Sequence, residues 1–140
     1  MKTDSAPTDP CLRWLLESEE PWTRYRTAVD LLGRSETQAA RARTAMLAHP
    51  QVQRLITEAA TWPTVPFKRH SDASHPIYKL STLADFGVQA EDPGIRPILE
   101  TVLAHQSAEG AFQSLINVPK AFKGPGKDMW TWIACDAPTL

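Results

Sequence analysis

The chain has 140 residues, 42% of them hydrophobic and 22% charged, the composition of one ordinary globular domain. Its formal net charge is -1, so bulk electrostatics gives no ground for nucleic-acid binding. No apolar run approaches the roughly 20 residues of a membrane span, MKTDSAPTDP lacks the apolar stretch of a secretory signal, and two distant cysteines, Cys11 and Cys135, point to a reducing cytoplasm rather than a disulfide framework.

Residues 1–9 are polar and rich in Pro and Thr, and read as a flexible arm ahead of a single helical domain, 10–140. The first predicted helix covers 11–18, with Leu12, Leu15 and Leu16 around Trp14. Pro21 opens a second, where its missing N–H costs nothing; Trp22, Tyr25, Val29 and Leu32 come after it at helical spacing and Gly33 stops it. Ser35 with Gln38 makes a capping-box pattern for a third helix over 36–48. Pro50 opens a fourth, with Val52, Leu55, Ile56 and Ala59 on one stripe.

Residues 61–75 form a long loop with Pro63 and Pro66. Pro76 opens a fifth helix, with Ile77, Leu80, Leu83 and Ala84 inward, closing near Gly87. Asp92-Pro93 starts a sixth, where Ile95, Ile98, Leu99, Val102 and Leu103 keep the i, i+3, i+4, i+7, i+8 pattern. Pro97 removes a backbone bond there unless the helix begins late. Residues 107–127 are a second long loop, and Asp128 caps a seventh helix, from Met129 to about Ala137, apolar nearly all round and so buried. No stretch reads as a strand. The prediction is an all-α fold of about seven helices in antiparallel hairpins. The echo between LAHPQVQRL (47–55) and SHPIYKLSTL (74–83) suggests a repeat whose apolar faces need neighbouring copies.

Gln106-Ser107-Ala108-Glu109-Gly110-Ala111-Phe112 reads Q-x-x-x-G-x-F directly after an apolar helix. It resembles the Q-x-x-x-G-x-W repeat of the α/α-toroid superfamily, the terpenoid cyclases and protein prenyltransferase β-subunits. In that motif the Gln bonds backbone at a helix end, the Gly permits the turn and the aromatic stacks into the neighbouring hairpin. The run from Pro21-Trp22-Thr23-Arg24-Tyr25-Arg26 to Cys135-Asp136-Ala137-Pro138 looks like the N-terminal part of uncharacterised bacterial members of that superfamily. The resemblance implies a partial α/α toroid. Pro21–Leu32 is also similar to a HEAT-type helix, in which an Arg after a Pro packs between repeats, and that implies an α-solenoid. A toroid closes with about five to seven helix pairs and this chain offers about three, so the expectation is a longer native chain or a homo-oligomer that completes the core. Alone, it should show an apolar patch near Trp130–Leu140. The Asp-rich acid motif of the cyclases is absent, so their reaction is not carried over.

The stretch FKRHSDASHPIYK (67–79) raises three alternatives. His70, Asp72 and His75 supply ligand types that zinc or a non-haem metal accepts, with Cys135 or Asp136 as a further ligand. Lys68, Arg69 and His70 precede a helix N-terminus and Lys79 lies one turn inside, a setting for a phosphate or carboxylate. The third is structural: Asp72 or Ser74 caps the helix opened by Pro76 while His75 fills a turn. Gly124-Pro125-Gly126-Lys127-Asp128 is not a P-loop, which needs four residues between Gly and Gly-Lys and then Ser or Thr; a flexible lid suits it better. Trp62, Phe67, Phe112, Phe122, Trp130 and Trp132 gather around the two loops, as pocket lining or as core.

These features support three functions. The first is a binding or assembly module with a small-molecule or anion groove between loops 61–75 and 107–127, its ligand met by Lys68, Arg69, Lys79, Phe112, Trp130 and Trp132. The second is a metal-assisted or acid-base enzyme using His70, Asp72, His75 and Asp136, with zinc at His70, His75 and Cys135. The third is a HEAT-type protein-interaction scaffold. Neither nucleic acid nor membrane is an expected partner.

Overall fold

The structure, a computed structural model, describes residues 7–67 and 73–132. The chain divides into two compact units, Met1–Gln53 and Arg54–Leu140. The described residues hold six α-helices and a two-stranded antiparallel sheet, which corrects the expectation of an all-α, seven-helix toroid or solenoid.

In the first unit, α1 (Pro10–Leu16) is capped by Asp9, whose carboxylate accepts from the Cys11 amide at 2.7 Å. α2 (Pro21–Arg26) widens into a π turn, Thr27–Leu31. Gly33, at φ 58, then reverses the chain so that the Arg34 amide reaches the Ala28 carbonyl at 2.9 Å. The Arg24 guanidinium donates to the Ser18 carbonyl, holding the turn between α1 and α2. α3 (Glu36–Leu47) begins with the expected box: the Ser35 hydroxyl accepts from the Gln38 amide and the Gln38 side chain accepts from the Ser35 amide. Tyr25, Ala28, Ala39 and Met46 are the buried apolar residues of these elements.

The unit boundary falls inside α4 (Pro50–Ala59). In the second unit, α5 (Pro76–Phe86) ends at Gly87, which takes the left-handed conformation at φ 89. α6 (Arg96–Ala104) does begin late, with Pro97 in its first turn, where no hydrogen bond is lost. Ile95, Ile98 and Val102 are buried as the spacing requires, but Leu103 is 59% exposed. Eight residues carry it about 80° around the helix from Ile95, off the inward stripe.

Past α6 the chain turns over at the Gln106–Phe112 motif. The Gln106 side-chain amide donates to the Gly110 carbonyl at 2.8 Å, Gly110 sits at φ 92, and Gln106 and Phe112 face each other in an antiparallel bridge. The reversal leads into β1 (Ser114–Asn117), not into another helix. β1 pairs with β2 (Asp128–Thr131) in the register Ser114↔Thr131 to Asn117↔Asp128. The helix expected from Met129 is therefore a strand at its start. A helix apolar all round needs burial on every side, whereas a strand needs cover on one face. Trp130 finds that cover on the core formed by Trp62, Ile77 and Val102, with Tyr78, Leu80 and Phe112 beside it.

The two long connectors meet. The Phe67 amide donates to the Leu115 carbonyl at 2.7 Å and the Asn117 amide to the Phe67 carbonyl at 3.1 Å, so Phe67 forms a parallel bridge to the outer edge of β1. No helix among the described residues is long and apolar enough to cross a membrane.

Candidate functional site

Of the residues singled out in the sequence, Lys68, Arg69, His70, Asp72, Cys135 and Asp136 lie outside the described residues. His75, Lys79, Phe112, Trp130 and Trp132 lie within them, all in the second unit.

His75 is the N-cap of α5 and is 3% exposed. Pro76 at the first helical position has no N–H, so the first amide needing a partner is that of Ile77. It donates to His75 Nδ1 at 3.4 Å. An accepting Nδ1 puts the ring proton on Nε2, which lies 3.0 Å from the Val65 carbonyl and donates to it. The ring edge also meets Phe67 at 5.1 Å between centroids. Both nitrogens are thus engaged, and a metal at His75 would have to displace one of these bonds. The capping residue is the histidine itself, not Ser74. His49 repeats the device ahead of Pro50: its Nδ1 accepts from the Gln51 amide at 3.3 Å and its ring meets Trp22 at 5.3 Å, edge to face. The His-Pro echo in the sequence is a repeated helix cap. Among the described residues no group of three His, Cys, Asp or Glu could hold a metal ion.

Lys79 is half-buried and its Nζ lies 3.7 Å from Glu58 Oε2, while Arg54 Nε holds Glu58 Oε1 at 2.7 Å. The Arg54 hydrogen bond is the largest influence on Glu58 and, with the charges of Arg54 and Lys79, keeps its carboxyl below the ordinary value of 4.5, against the opposing effect of desolvation. A depressed carboxylate favours the fold above its unfolded value and loses that contribution as pH falls through the folded one. Glu58→Gln should therefore lower stability at pH near 7 and make little difference well below pH 4.5; urea unfolding at both pH values checks this.

Trp62, His105, Phe112 and Trp130 of the second unit gather together. The Trp130 ring stacks on His105 at 3.7 Å and an interplanar angle of 7°. Trp62 meets His105 at 5.5 Å and Trp130 at 6.0 Å, edge to face in both cases. Phe112 packs against the same core. Trp132 lies at the margin, 40% exposed. A crevice lined by Ala59, Trp62, Pro76, Ile77, Leu80, Ile98 and Val102 measures about 170 Å³ with its open mouth included and has no room for a water molecule. Ligand pockets usually reach about 300–1,000 Å³.

The connector between the strands, residues 118–127, is ordered. The Phe122 and Gly124 amides both donate to the Pro119 carbonyl, at 2.9 and 3.2 Å, around a 3-10 turn over Lys120–Phe122. The Gly126 amide donates to the Val118 carbonyl at 3.0 Å. Gly124 is packed so closely that a Cβ there would fall 2.2 Å from the Val118 carbonyl oxygen. At the loop's mouth the Asn117 side chain donates to Asp128 at 2.6 Å. This firm turn holds out Phe122, 78% exposed, with Lys120, Lys123 and Lys127 exposed beside it. The segment 118–127 contains three lysines and no acidic residue, although the whole chain carries -1. None of the three lysines is ion-paired among the described residues. In the sequence these lysines stand out only beside a glycine pattern that fails as a P-loop. The usable signal is the VPKAFKGPGK run itself, with its like charges around one aromatic between two short β-prone stretches.

Comparison with protein-family models, with curated proteins and with solved structures finds no match.

Proposed function

We propose that the chain is a binding module whose contact surface is the tip of the β1–β2 hairpin, and that its partner is anionic. One observation carries this reading: a turn fixed by its own backbone hydrogen bonds exposes Phe122 among three lysines that have no ion pair among the described residues. A phenyl ring left in water forgoes burial worth roughly 1.5–3 kcal/mol, and a loop rigid enough to keep it there is preorganised for a contact.

The test is a titration of the ¹⁵N-labelled full chain with inorganic polyphosphate at low salt. Amide shifts are expected to concentrate at 118–127, to shrink as salt is raised, and to vanish in a Lys120→Gln/Lys123→Gln/Lys127→Gln variant that melts at the wild-type temperature. Shifts centred on the helices, or none at millimolar ligand, would remove the proposal.

A further inference from the structure

We infer that the hairpin tip docks on lipid bilayers that carry anionic headgroups, with Phe122 entering the boundary between headgroups and acyl chains. The inference rests on the reading of the tip as the contact surface and names its partner. Shape is the first argument. Phe122 stands on a tight convex turn, beside exposed Pro119, Ala121 and Pro125. A nucleic-acid strand is bound by a groove with several stacking platforms, and an extended peptide by a free strand edge or a cleft. A single protruding ring offers neither, but it can enter a soft interface that yields around it.

Charge type is the second argument. Between Ser114 and Trp132 the cations are all lysine and none is arginine. Arginine's planar fork suits bidentate capture of one phosphate, whereas lysine is a flexible point charge. Three lysines around one apolar side chain match a diffuse anionic surface, where each basic residue adds to attraction without a fixed partner. Lys120 lays its stem along Gly126, its Cγ 2.9 Å from where a Cβ would stand. Met129, at the start of β2, is a second exposed large apolar side chain of the hairpin, 39% exposed. The whole-chain charge of -1 is small, and the segment 118–127 itself carries three lysines and no acidic residue.

The experiment is co-sedimentation of the full chain with vesicles of phosphatidylcholine alone and of phosphatidylcholine mixed with phosphatidylserine. Binding is expected only to the mixed vesicles. Phe122→Ala should lower the partition about tenfold and the triple Lys→Gln variant about a hundredfold. Arg41→Gln, an exposed change on α3, should leave it unchanged. No binding to mixed vesicles overturns the inference, as does binding that Phe122→Ala does not weaken. A single-stranded oligonucleotide bound through the tip while vesicles are ignored also overturns it. Polyphosphate shifts at 118–127 without vesicle binding would sink the lipid assignment alone, while shifts elsewhere would sink the tip reading beneath it.

Discussion

Replacing Trp62 with alanine is expected to destabilise the second unit by about 3–5 kcal/mol, the range for a large aromatic removed from a packed core. Trp62 is buried, packs with Ile77 from α5 and Val102 from α6, and stands nearly perpendicular to the stacked rings of His105 and Trp130. It therefore joins the helices to the ring stack on which β2 lies. The loss should appear in urea unfolding as a lower midpoint, and near-ultraviolet circular dichroism of the folded protein should weaken as the Trp130–His105 stack loosens. Trp62→Phe should keep much of the stability. A cost below about 1 kcal/mol for the alanine variant would mean that the core is not organised around this ring.

His75→Ala is expected to cost about 2–4 kcal/mol, because one side chain meets two backbone groups. The Ile77 amide loses its cap and the Val65 carbonyl its donor, and Phe67 loses the ring that meets it at 5.1 Å. Asparagine can still accept from the Ile77 amide, so His75→Asn should recover about 1 kcal/mol, the worth of a cap. His49 supplies the control. It caps α4 in the same way but is only half-buried, so His49→Ala should cost about 1 kcal/mol. Equal losses at the two positions would show that burial of His75 and its bond to Val65 contribute nothing.

Helix starts were legible because their causes are local. Pro21, Pro50 and Pro76 each stand at the first helical position, the Ser35–Gln38 box forms as written, and Gly87 stops α5 as a left-handed residue, whereas α1 begins at Pro10, one residue before the expected start, and α6 begins at Arg96 and not at Asp92-Pro93. Two parts of the Gln106 turn were also legible, the amide bond to Gly110 and the positive φ; Phe112 packs beside Trp62, Ile77 and Val102, and the chain goes on into a strand instead of a helical hairpin. The hairpin beyond that turn was not legible. Ser114–Asn117 and Asp128–Thr131 are four residues each, too short to show a period, and ten residues separate the ends that pair. The Met129–Trp132 run is rich in large side chains that serve a buried helix or a half-covered strand, and the choice is made by Leu115, Ile116 and Phe67, which sequence proximity does not connect to it. The candidate site was hidden by the same step. With 107–127 read as a loose lid, the lysines had no frame, and only the hairpin shows that they share a hydrogen-bonded turn with an exposed Phe122.

The central claim is that this hairpin is ordered, and amide hydrogen exchange across 114–131, read by NMR, tests it most directly. Slow exchange is predicted at Asn117, which donates to Phe67 across the sheet edge, and at Gly126, which donates to Val118 inside the turn. The lysine and Phe122 side chains would then stand on a fixed base. Exchange at free-peptide rates throughout 118–127, or a helical pattern of protection running on from Met129, would contradict both the fold and the surface assigned to it.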